Sequence, residues 1–114
     1  MIEQTEHHAP SCDAALSSAF TILGKRWNGL ILGVLADGGA GFADLSRGLG
    51  SSISDSMLSG RLTELAEMGL IERQVSPGPP VSVRYTLTAA GQALIPALNS
   101  LADWARLHLE PNRG

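Results

Sequence analysis

The feature that most narrows the fold is a change of period. Between residues 70 and 87 the chain leaves helical spacing for two short segments joined by Ser76-Pro77-Gly78-Pro79-Pro80. Leu70 to Val75 and Val81 to Leu87 have strand character, the second placing Val81, Val83, Tyr85 and Leu87 on one face. Prolines cannot donate to a β-ladder and Gly78 permits a tight reversal, so the linking residues predict a solvent-exposed hairpin tip. Few small folds place a Pro/Gly-rich hairpin directly after a pair of helices.

Helical spacing governs the rest. Leu16, Ala19, Phe20 and Leu23 define a helix over Asp13 to Leu23 that Gly24 interrupts, and Trp27, Leu30, Ile31, Val34 and Leu35 define a second, closed by Asp37-Gly38-Gly39. A short third helix lies within Ala40 to Gly50, with Phe42, Leu45 and Leu49 on one face, and Gly50-Ser51-Ser52 turns the chain into a fourth, Ile53 to Gly69. In that fourth helix Leu58, Leu62 and Leu65 form a core face, while Ser56, Ser59, Gly60 and Thr63 leave the opposite face small and polar. Ser54 can cap its start and Gly69 can take the left-handed conformation that ends it. After the hairpin, Thr88 can cap a last helix, Ala89 to about Leu109, in which Pro96 removes a backbone donor and predicts a bend.

This order predicts a mainly α fold with a small β-hairpin wing (α+β): a winged helix-turn-helix with flanking dimerisation helices. The helix-turn-helix spans about 42–69, the wing about 70–87 and the C-terminal helix about 88–109, all within a domain at 12–110 that follows a flexible arm at 1–11. With 114 residues the chain suits one domain with one core. No apolar run approaches the ~18 residues of a membrane span, and Met1 to Cys12 lacks the basic start and apolar centre of a signal peptide. A cytoplasmic protein without a membrane partner is expected.

A net charge of −3 argues mildly against a nucleic-acid ligand. Distribution matters more than the sum: Lys25, Arg26, Arg47, Arg61, Arg73 and Arg84 lie in the middle, whereas Glu3, Glu6, Asp103 and Glu110 lie in the terminal stretches. A single cysteine excludes an intrachain disulfide and a multi-cysteine zinc site. His7, His8 and Cys12 lack an evident fourth ligand, so no metal is expected, and no cofactor motif or catalytic arrangement is visible. The chain does not read as an enzyme.

Over roughly Cys12 to Trp104 the sequence resembles the HxlR-type transcriptional regulators, a branch of the MarR-like winged-helix group. The resemblance rests on an N-terminal cysteine before a helix, Gly24-Lys25-Arg26-Trp27 leading into Leu30-Ile31-Leu32, and Phe42-Ala43-Asp44-Leu45. It continues through Ile53-Ser54, Met57-Leu58, Arg61-Leu62 and Leu65, then Gly69-Leu70-Ile71, the Pro-containing wing, and Tyr85, Leu87-Thr88 and Gly91. Ser76, Val81 and Arg84 depart from that pattern, which has an aromatic, a second proline and an acid there. The resemblance implies a regulator, more often repressor than activator, that binds duplex DNA.

A fourth helix in a major groove would offer Ser54, Asp55, Ser56, Ser59 and Thr63 to base edges, with Ser54 also suited to capping. Hydroxyls read weakly, so specificity is expected to draw on shape, water and dimer spacing as well. Lys25 and Arg26 suit phosphate contact near a helix start or are simply solvated charges. Arg61 either reaches phosphate or pairs with Asp44 or Glu64. Arg73 and Arg84 flank the wing, where backbone or minor-groove contact is natural, and Trp27 is expected in the core. One short reading helix gives little affinity, so a homodimer on a palindromic operator is expected. Leu16, Phe20, Leu23, Leu94, Leu98, Leu101, Ala105 and Leu109 would form its interface.

Cys12 precedes a helix, where the macrodipole favours a thiolate. It also resembles the N-terminal cysteine with which HxlR-type proteins sense electrophiles, quinones or oxidants. Three alternatives stay open. Cys12 is a plain buried thiol; or it is inert while a pocket beside Phe20, Trp27 and Trp104 takes a small aromatic effector; or the winged helix is a protein-interaction module without DNA affinity.

Overall fold

The computed structural model describes residues 10–109. Apart from Pro10 and Ser11, the expected arm lies outside these residues, as do His7 and His8. Among the described residues the chain forms α1 (Ala14–Leu23), α2 (Arg26–Leu35), α3 (Phe42–Gly48), α4 (Asp55–Glu67), β1 (Ile71–Ser76), β2 (Ser82–Leu87) and α5 (Ala89–His108). None of the described helices is long and apolar enough to cross a membrane.

The core lies among α2, α3, α4 and the start of β1. Ile31, Leu32, Leu35, Leu45, Leu58, Leu62, Leu65 and Ile71 are buried, and Trp27, Phe42, Leu94 and Leu98 lie against them. Leu58, Leu62 and Leu65 fall on one side of α4, so a single face closes on the rest of the domain. The exit from α4 has the geometry expected of Gly69. With φ at +77°, Gly69 turns the chain so that the Leu70 N–H donates to the Leu65 carbonyl at 3.0 Å.

Most boundaries shift by a residue or two from the sequence reading, with α4 at Asp55–Glu67 inside the expected Ile53 to Gly69 and each strand starting one residue later, and two of the shifts have a visible cause. Ala40 lies outside α3: its N–H donates to the Tyr85 carbonyl and its carbonyl accepts from the Tyr85 N–H, at 3.0 and 2.8 Å. A bridge across from β2 therefore claims the residue before the helix can start, and Gly41 takes the extended N-cap position instead. The helix over Asp13 to Leu23 begins one residue later, because the Asp13 carboxylate accepts from the Leu16 N–H at 3.0 Å and serves as its cap. The hairpin pairs antiparallel with Arg73 opposite Tyr85 and Gln74 opposite Arg84.

Gly91 seats α5 on the domain. A Cβ there would lie 2.2 Å from the Leu70 carbonyl oxygen, so only glycine lets the helix come this close. Thr88 fixes the same corner by donating to the Gly69 carbonyl at 2.6 Å while accepting from the Gly91 N–H. Beyond this contact α5 runs through Pro96, with Leu94, Ile95 and Leu98 half-buried and Leu101, Trp104, Leu107 and Leu109 exposed.

Candidate nucleic-acid interface

Helix α4 places its buried leucines inward and Ser56, Ser59, Gly60 and Thr63 outward, all four exposed. A Cβ on Gly60 would meet nothing within 4 Å among the described residues, so no neighbouring element covers this face. Ser54 is exposed as well, but its hydroxyl already accepts from the Met57 N–H at 3.1 Å and caps the helix. Asp55 is exposed in the first turn, where its charge complements the helix dipole. The hydroxyl-bearing residues are thus gathered on one open surface.

The basic residues are less uniformly available. Lys25 Nζ donates to Glu64 Oε2 at 2.6 Å and Arg61 Nη1 to Glu64 Oε1 at 2.9 Å, so one carboxylate bridges the start of α2 to α4. Of the two partners open to Arg61, Glu64 is the one it takes, whereas Asp44 pairs with Arg47. The hydrogen bond from Lys25 and its charge, with Arg61 and the Asn28 amide in support, hold the Glu64 carboxyl below its usual range against a partial desolvation. Arg26 lays its guanidinium over the Trp27 ring at 4.8 Å.

Arg84 Nη2 donates to the Gly39 carbonyl at 2.9 Å, tying the wing to the loop after α2. The register sets Arg73 on the same face of the hairpin as Tyr85 and Arg84 on the other, so the two arginines present to different sides. Sequence reasoning missed Asn28. This fully buried side chain donates to the Ile22 carbonyl at 2.9 Å and ties the end of α1 to α2. A polar residue inside an otherwise apolar helix face was the available signal.

Cys12 is exposed, not buried, because it stands one residue before the cap of α1, outside the packed part of the chain. Leu16 and Phe20 stand exposed further along the same helix, and with Cys12 they line a shallow cleft. Phe20, Trp27 and Trp104 do not share a cavity. Phe20 joins Leu23, Leu30, Leu98 and Leu101 around a cleft of about 640 Å³ between α1, α2 and α5, while Trp27 lines a separate one. The reason is that Trp27 faces α4 and Trp104 lies on the far half of α5, against His108. Among the residues expected at an interface between copies, Leu16, Phe20, Leu101 and Leu109 are exposed, whereas Leu23, Leu94, Leu98 and Ala105 are half-buried.

A hairpin wing bridged to the loop before a helix pair, with the second helix of the pair open on its polar side, defines a winged helix-turn-helix protein. The HxlR-like helix-turn-helix family model matches residues 22–113, and the chain belongs to that family of transcriptional regulators. It is 46% identical over 96 residues to the HTH-type transcriptional regulator YodB of Bacillus subtilis (strain 168), covering 84% of this chain and 85% of YodB. The reduced form of YodB matches the fold with a TM-score of 0.78 at 43% identity, over 90% of this chain and 100% of that one. Quinone-bound YodB gives a TM-score of 0.71 at 40% identity, over 83% of this chain and 99% of that one.

Proposed function

We propose that the protein is a homodimeric repressor that binds a palindromic duplex operator and releases it when Cys12 reacts with an electrophile. The observation that carries this reading is the outward face of α4, where Ser56, Ser59, Gly60 and Thr63 leave room for a groove edge to approach closely. Ser54, Asp55, Ser56, Ser59 and Thr63 would read base edges, while Lys25, Arg26, Arg61, Arg73 and Arg84 would contact phosphates. The exposed Leu16, Phe20, Leu101 and Leu109 support pairing of two copies, because a monomer rarely leaves so much apolar surface on adjoining helices.

For the thiol, the support is the exposure of Cys12 beside an apolar strip and the existence of YodB in both reduced and quinone-bound forms. The step would be conjugate addition. A sulfur–carbon bond forms, the ring π-electrons move to the carbonyl oxygen, and that oxygen takes the proton the thiol has lost.

The experiment is selection of bound sequences from random duplexes, followed by release of the winning sequence by a quinone from wild type and from Cys12→Ser. A palindrome released only from the wild type is expected. A second reading, favoured by the cleft around Phe20, Leu30 and Leu101, makes the effector a reversible apolar ligand. Release that persists in Cys12→Ser would select it. Absence of any salt-sensitive duplex binding would leave the protein-interaction reading.

A further inference from the structure

On the flank of α4 nearest the start of α2, Lys25, Arg26, Trp27, Met57 and Arg61 enclose a cleft of about 370 Å³. Three cations meet there from two helices. Glu64 answers two of them, one with each carboxylate oxygen, which leaves the group with an excess of two positive charges. Arg61 Nε is shielded from solvent and finds no acceptor among the described residues. That N–H is closed to an incoming ligand as the side chain stands, so a phosphate would engage the terminal guanidinium nitrogens, one of which now bonds Glu64.

We propose that this cleft seats one phosphate, with Glu64 keeping its place until it arrives. The proposal deepens the duplex-binding reading and rests on it for the source of the phosphate. A carboxylate has two oxygens and Glu64 already engages both, whereas a tetrahedral phosphate can accept from Lys25, Arg26 and Arg61 together. The location suits a backbone contact, since the cleft borders the open face of α4, and phosphate contacts fix the register of a reading helix. Glu64 is then a positioning residue with a cost to affinity. It holds the charged ends of Lys25 and Arg61 at the edge of the cleft those residues line, and the phosphate must take both from it.

The test uses the full chain and a duplex obtained by selection, with binding measured by fluorescence anisotropy over a salt series. Glu64→Gln is expected to bind a few-fold to about tenfold more tightly at moderate salt, with a log–log salt slope steeper by about one. Lys25→Gln is expected to bind more weakly with a slope shallower by about one, and the double variant to lose most of the gain of Glu64→Gln. Circular dichroism and thermal melting check that each variant folds; the Lys25 side chain is 46% exposed, so its replacement keeps the test available if Glu64→Gln does not. Equal or weaker binding by a folded Glu64→Gln variant with an unchanged slope would overturn the proposal.

A second arm needs no duplex. In a Trp104→Phe background Trp27 emission reports on the cleft, titrated with inorganic phosphate against chloride at equal ionic strength. A saturable change lost in Lys25→Gln supports the seat even if no duplex binds; the source is then a free phosphate and the DNA-binding reading alone has failed. Duplex effects as expected without a phosphate response assign the seat to backbone phosphate. Neither response removes the seat.

Discussion

Helices α4 and α5 both carry leucine stripes, and the two stripes meet different fates. On α4, Leu58, Leu62 and Leu65 are at most 1% exposed, because α2, α3 and β1 surround that face. On α5, Leu94 and Leu98 reach the same core, but Leu101 is 50% and Leu107 77% exposed, and the neighbouring α1 buries no residue among those described. An apolar stripe is a demand for a partner. The chain meets that demand for α4 and leaves it open along the far half of α5 and along α1, so the first region should set the stability of the monomer and the second its association.

The largest expected effect breaks or keeps that contrast. Leu62→Ala removes a side chain from a fully enclosed site and should cost about 2–5 kcal/mol in urea denaturation. Leu101→Ala should change the same curve by less than about 0.5 kcal/mol at dilutions where sedimentation finds monomer. At higher concentrations it should shift the sedimentation profile toward monomer. If Leu101→Ala costs as much as Leu62→Ala in the dilute protein, the two stripes are equivalent and the contrast is wrong.

Gly91 joins the regions, and its replacement should come next in size. The Leu70 carbonyl leaves no room for a methyl group, so Gly91→Ala must push α5 outward, at about 1–3 kcal/mol. Gly60→Ala is the sharpening control. Its Cβ would stand in open space, so helix propensity should give about 1 kcal/mol of added stability. The same substitution should weaken duplex binding, since a methyl group then stands where a groove edge approaches. Tighter or unchanged binding by this more stable variant would remove α4 from the groove.

Much of this organisation is legible in the residues themselves. The i, i+4, i+7 leucines of α4, the caps at Ser54 and Thr88, and the turn at Gly69 each depend on a few neighbours in sequence, so local chemistry specifies them. Ala40 was not legible. Its place depends on Tyr85, brought beside it only by the hairpin, and the apolar spacing around Phe42 masks that bridge. The sequence left Arg61 two carboxylates, Asp44 and Glu64, and it takes Glu64, three residues on along the same helix, which also receives Lys25 from the start of α2. The far half of α5 is the complementary case: sequence predicted an apolar stripe beyond the core, and the fold leaves Leu101 and Leu109 uncovered while turning Leu94 and Leu98 inward.

The smallest expected effect concerns the polar bracket within the well-enclosed region. Because Lys25 and Arg61 hold the folded-state pKa of Glu64 below its ordinary value near 4.5, the carboxylate contributes stability that is complete above that value. It is lost as pH falls through the lower folded pKa, where the group must take up a proton. Thermal melting of wild type and Glu64→Gln from pH 7 to pH 3 should therefore show a small gap that is constant at neutral pH and closes only on the acid side. Raising the salt concentration at pH 7 should narrow the gap as well, since both partners of the Lys25 pair retain contact with solvent. A gap that persisted at pH 3 would mean that shape, not charge, holds the start of α2 to α4.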